Sequence, residues 1–146
     1  MKRIAVLTSG GDCSGMNAAI RAVVRSCLSN GIEVIGVQKG YLGLIRQHSE
    51  RLTTKSVSGN LKAGGTFLQS ARCLEMLEDS GRQLAVENLK KMGVEGLIVI
   101  GGDGSLRGAR ELQMRGIRVM TIPASIDNDI PSVSYTHLTL PTNREV

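Results

Sequence analysis

At 146 residues the chain is long enough for one ordinary domain, or for part of a larger one. It is 41% hydrophobic and 21% charged, which excludes disorder throughout, and no apolar run approaches the ~20 residues that span a bilayer. The net charge is +5, yet the aromatics are two tyrosines and one phenylalanine, so a base-stacking nucleic-acid surface is not expected; the charge reads as a solvated surface that could also serve an anionic small ligand.

The chain opens on MKRIAVLTSGGD, which turns glycine-rich before the apolar core of a signal peptide could form. Cys13, Cys27 and Cys73 are an odd set with no CxxC pair. That argues against a disulfide framework and a zinc site, and for a reducing, cytoplasmic setting. Residues 3–7 are a short apolar run stopped by Thr8-Ser9-Gly10-Gly11, the pattern of a buried parallel strand. Residues 16–28 carry Ala19, Ile20, Val23, Val24 and Cys27 at helical spacing, and Asn30-Gly31 ends the helix. Residues 33–37 read as a second strand, and 39–75 are mixed and glycine-punctuated. Residues 82–92 form an amphipathic helix closed by Gly93. Residues 96–100 (GLIVI) are the clearest strand, 105–115 a helix closed by Gly116, and 118–122 a further strand. This alternation predicts an α/β, doubly wound, mostly parallel sheet with right-handed crossovers.

In such a sheet, ligands sit beyond the carboxyl ends of the strands. Three loops fall there. Gly101-Gly102-Asp103-Gly104-Ser105 joins strand to helix, where glycines let backbone N–H groups approach a phosphate. Asp103 would repel a phosphate and suits a Mg²⁺ bridging phosphate oxygens, or else it or Ser105 caps the helix. The loop is no Walker A motif, and Gly108 falls one residue late for the dinucleotide fingerprint, which argues against a Rossmann dehydrogenase. Residues 9–15 (SGGDCSG) form a similar loop, in which Asp12 or Ser14 could equally cap a helix. Ser125-Ile126-Asp127-Asn128-Asp129 places two carboxylates two apart, a spacing helix pairing does not explain. They could serve a substrate hydroxyl and a metal, or form a polar turn. His48 reads as a solvated loop residue.

Taken in order, RIAVLTSGGD (3–12), GMNAAIR (15–21), GGTFL (64–68), SAR (70–72), GGDGS (101–105) and IDNDIP (126–131) resemble the amino-terminal part of the bacterial ATP-dependent 6-phosphofructokinase family. The likeness covers residues 1–131. It implies an incomplete nucleotide-binding domain and transfer of the γ-phosphoryl of ATP to the 1-hydroxyl of fructose 6-phosphate, with Mg²⁺. By position, Gly11, Arg72, Cys73, Gly102, Asp103, Gly104 and Ser105 would line the ATP site, with Asp103 toward the metal. Asp127 would be the base, Asp129 would support metal and geometry, and Ser125 would contact the moving phosphoryl. Arg21 and Arg25 match the helix of an effector site, although Thr54 and Lys55 stand where that site usually has an arginine and an aromatic. The resemblance also implies a homotetrameric parent, with no nucleic-acid or membrane partner.

The chain departs from the family pattern in places. Cys13-Ser14 stand for Ala-Pro, Cys73 for an aromatic, and Ser125 for Thr. Gly104 and Ala124 are small where pyrophosphate-using relatives carry Asp and Lys, which favours ATP over the pyrophosphate-dependent alternative. A non-catalytic nucleotide-binding module is the alternative from another class. Residues 132–146 (SVSYTHLTLPTNREV) leave the family pattern and resemble a translated sequencing-adapter end, so they are expected to be a non-native read-through tail. The arginines and histidine that hold the sugar phosphate in the family have no counterpart here, so this chain by itself is expected to be inactive.

Overall fold

The computed structural model describes residues 1–11, 13–59 and 65–124. Asp12, Gly64, Ser125, Asp127, Asp129 and the 132–146 tail lie outside these described residues.

The elements run β1 (Arg3–Thr8), α1 (Met16–Ser29), β2 (Glu33–Val37), α2 (Gly40–Arg46), β3 (Ser49–Leu52), a 3₁₀ turn (Leu74–Leu77), α3 (Asp79–Lys91), β4 (Gly96–Gly101), α4 (Asp103–Met114) and β5 (Val119–Pro123). The sheet order is β3-β2-β1-β4-β5. β1 pairs in parallel with β2 and β4, and β4 with β5, while β3 adds antiparallel to β2.

Helices cover both faces of the sheet, so the central strands are apolar without interruption. Side chains still alternate between faces. Ala5, Leu7, Leu97 and Val99 pack with Leu44 of α2, Leu89 of α3 and Leu112 of α4. Ile4, Val6 and Ile100 pack with Met16, Ile20, Val23 and Val24 of α1 and with Leu52, Val57 and Leu68. The 16, 20, 23, 24 spacing is one helical stripe, which is why the sequence sufficed to find α1.

The structure corrects the sequence reading at several boundaries. Residues 39–75 hold a helix, an antiparallel edge strand and the start of a 3₁₀ turn that ends at Leu77. α2 is held by contacts distant in sequence: the buried Asn88 side chain donates to the carbonyls of Leu44 (2.7 Å) and Ile45 (3.2 Å). α3 starts at Asp79 rather than 82, and α4 at Asp103 rather than 105. The caps of α1 and α4 are Gly15 and Gly102, with no side-chain cap bond, so neither Ser14 nor Asp103 nor Ser105 caps a helix. Glycines replace the side-chain oxygen there; the Met16 amide of α1 turns back to the Cys13 carbonyl at 3.5 Å, whereas the first amides of α4 stay available to another acceptor.

Candidate phosphate-binding cleft

Within the sheet, β2 lies on one side of β1 and β4 on the other, so chain direction diverges between β1 and β4. That divergence opens a crevice at the strands' carboxyl ends, where doubly wound sheets bind ligands. The Ser9 amide donates to the Ile100 carbonyl at 2.9 Å and closes the floor of this crevice. Above it is a cleft of about 870 Å³. That lies within the range of about 300–1,000 Å³ usual for small-molecule sites.

The two glycine loops meet here. A Cβ on Gly101 would sit 2.5 Å from the Ser9 carbonyl oxygen and 2.5 Å from Ser105 Oγ, so the loops touch only because position 101 has no side chain. Gly10 has φ +83°, a left-handed conformation that favours glycine. The third wall is the segment 70–74. Ser70 donates its hydroxyl to the Gly10 carbonyl at 2.8 Å. Behind it, the buried Thr8 hydroxyl donates to the Gln69 carbonyl at 2.9 Å and lies 3.0 Å from Thr66 Oγ1.

All the ATP-site residues expected from the sequence, Gly11, Arg72, Cys73, Gly102, Asp103, Gly104 and Ser105, line this one cleft. Ser105 is buried in the first turn of α4, and Asp103 is the first helical residue, with the free N–H groups of that turn beside it. A Cβ on Gly104 would meet nothing within 4 Å, and Ala124 lies on the same cleft with its amide donating to the Gly101 carbonyl at 2.8 Å. Burial pushes the Cys73 thiol above the ordinary thiol range, so it behaves as a small neutral wall group.

The charges sort into pairs. Arg107 Nε donates to Asp103 Oδ2 at 3.0 Å, and its Nη2 reaches the same oxygen. Arg82 lies 3.3 Å from Glu111 and donates to the Met76 carbonyl at 2.8 Å. Among the described residues, the cleft carboxylates Asp103 and Glu111 are both paired, and Arg72 is exposed with no ion-pair partner.

The sequence reading missed Tyr41, Arg82 and Arg107 as cleft residues. Tyr41 is 5% exposed and donates its hydroxyl to the Ser105 carbonyl at 2.6 Å. It packs so closely on α4 that a Cβ at Gly108 would come within 2.9 Å of its ring. Gly108 was visible in the sequence as a glycine inside a helix, but its partner lies 67 positions away, and no local pattern points to it. Arg21 and Arg25 sit on α1, outside the cleft, and have no ion-pair partner among the described residues. His48 is exposed, as expected.

A divergent crevice in a doubly wound sheet, floored by two glycine loops and holding an arginine unpaired among the described residues, is the layout of an α/β protein whose cleft suits an anionic phosphate. The family model described as Phosphofructokinase matches residues 3–137, and the chain belongs to that family. An ATP-dependent 6-phosphofructokinase from Staphylococcus carnosus is 56% identical over 138 residues, 93% of this chain and 43% of that protein. The chain thus spans less than half the length of the curated relatives it matches. The phosphofructokinase structure from Saccharomyces cerevisiae superposes with a TM-score of 0.80 at 39% identity, over 89% of this chain and 21% of that one. A pyrophosphate-dependent phosphofructokinase from Nitrosospira multiformis gives 0.79 at 19% identity, over 89% and 35%, a likeness of fold. Among the described residues, no helix is long and apolar enough to cross a membrane.

Proposed function

We propose that the protein this chain represents transfers the γ-phosphoryl of ATP to the 1-hydroxyl of fructose 6-phosphate, with Mg²⁺. The observation that carries the reading is the convergence of both glycine loops and the 70–74 segment on one cleft where Arg72, among the described residues, has no ion-pair partner. Phosphoryl transfer needs positioning, charge neutralisation and one base. The loop amides at the start of α4 and the Arg72 guanidinium supply hydrogen bonds and positive charge to the polyphosphate. Asp103 fits Mg²⁺, being an oxygen donor open to the cleft beside the phosphate-facing amides. The metal, when bound, supplies neutralisation of charge on the β- and γ-phosphates.

Asp127 is the proposed base that takes the proton of the sugar hydroxyl. Asp129 is proposed to support metal and geometry, and Ser125 to contact the moving phosphoryl. What supports this is the family membership and the position of Ala124, one residue before Ser125, on the cleft wall. ATP is favoured over pyrophosphate because a Cβ at Gly104 would meet nothing within 4 Å and Ala124, on the same cleft, carries a small side chain where a nucleotide needs room. The parent is proposed to be a cytoplasmic homotetramer, with Arg21 and Arg25 contributing to an anionic effector site on α1. Residues 132–146 are proposed to be a foreign read-through, a reading that the nucleotide sequence across codons 130–146 tests directly.

The test is a donor comparison in a chain extended to the length of its relatives. Turnover with Mg-ATP and none with pyrophosphate is the expected result. Gly104→Asp should abolish ATP use by filling the open space. A preference for pyrophosphate would overturn the donor assignment, and binding of ATP with no turnover of fructose 6-phosphate would favour the non-catalytic module.

A further inference from the structure

Asp103 and Arg107 stand four residues apart on α4, one helical turn, and both line the cleft. The carboxylate that would meet a metal is therefore engaged by a guanidinium of its own helix. The Arg107 side chain is 78% exposed and that of Asp103 is 43% exposed. Such a pair is weakly held, because water and salt screen it, and the long arginine stem can swing away at small cost. The Arg82–Glu111 pair is different. It ties α3 to α4, and Arg82 is also anchored to the Met76 carbonyl of the 3₁₀ turn, which leaves it no comparable freedom.

We propose that Arg107 is a positioning residue that a divalent cation hands over from Asp103 to the phosphates of the nucleotide. The inference rests on the reading of Asp103 as the metal-facing carboxylate. Before the metal arrives, Arg107 neutralises Asp103, so that the carboxylate does not repel an incoming polyphosphate. A divalent cation at Asp103 draws on the same carboxylate charge that holds the guanidinium, and so releases it from this exposed pair. The released side chain remains on the cleft wall, where its planar fork matches two oxygens of a phosphate. The cleft then offers two free arginines, Arg72 and Arg107, at the point when the donor is bound with its metal.

The consequence is a pair of effects with opposite sign. Arg107→Gln keeps a good helix former and removes the charge. It should raise the affinity for Mn²⁺ alone about threefold, because the ion no longer displaces a partner from Asp103. It should lower the affinity for Mg-ATP about tenfold, because one charge-assisted contact is gone. Mn²⁺ binding is read by electron paramagnetic resonance and Mg-ATP binding by titration calorimetry, alongside Asp103→Asn. A merely structural role for Arg107 would weaken both ligands together and would overturn the proposal. Tighter Mn²⁺ with unchanged Mg-ATP would overturn the handover. If Asp103→Asn abolishes Mn²⁺ binding while Arg107→Gln leaves it unchanged, the inference fails and the metal reading stands. If Asp103→Asn leaves Mn²⁺ binding intact, the metal reading itself fails.

Discussion

The chain uses the tripeptide Gly-Gly-Asp twice, after β1 and after β4, and the two copies are built differently. After β1, residues 9–15 intervene before α1, and the backbone passes through left-handed turns at Gly10 (φ +83°) and Gly15 (φ +95°). After β4, Gly102 is the sole residue between strand and helix, and it is extended, with φ −89°. The first loop therefore needs glycine for backbone direction, whereas the second needs it for proximity. Gly101 has no Cβ because Ser9 and Ser105 occupy that space. The short second loop also puts Asp103 in the first turn of α4, next to the free amides, which no long loop would fix so tightly. A repeated motif thus fixes which residue is present and leaves open why it is needed.

Four substitutions test this difference, taken here from the largest expected effect to the smallest. The loops are proposed to hold the donor, and the proposed base belongs to neither. Asp127→Ala in an extended chain should cost about 10²–10⁴-fold in turnover while Mg-ATP binding persists. Loss of both together would merge the two roles and break the division. Gly101→Ala forces a Cβ into backbone and a buried hydroxyl, so it should destabilise by about 1–3 kcal/mol, read from urea denaturation midpoints. Gly10→Ala adds left-handed strain and a 3.3 Å contact with Ser105 Oγ, which should cost about 1–2 kcal/mol by the same measurement. Should Gly10→Ala prove harmless, backbone direction would not be what the first loop requires. Gly104→Ala is the opposite case: its Cβ meets open space inside a helix, so it should stabilise by up to about 1 kcal/mol in thermal melts.

The sequence by itself determined β1 and β4, because an uninterrupted apolar run flanked by glycine is a local signal that few other structures share. It determined α1 through its stripe and placed the glycine loops at strand ends, and the family resemblance then named Gly11, Arg72, Cys73 and Gly102 to Ser105 of the cleft but not Tyr41, Arg82 or Arg107. Its reading of 39–75 as mixed had a physical cause. α2 is seven residues long, too short to be stable without tertiary support, and its carbonyls are held by Asn88 from α3. β3 is four residues with one buried side chain, and only its pairing with β2 makes it a strand. The order β3-β2-β1-β4-β5, the crevice between β1 and β4, the seat of Tyr41 beneath α4, and the pairing that spares Arg72 while engaging Asp103 were decided by the tertiary structure. Each of these depends on contacts between residues far apart in the chain, or on a choice among several nearby charges, and a local pattern carries neither.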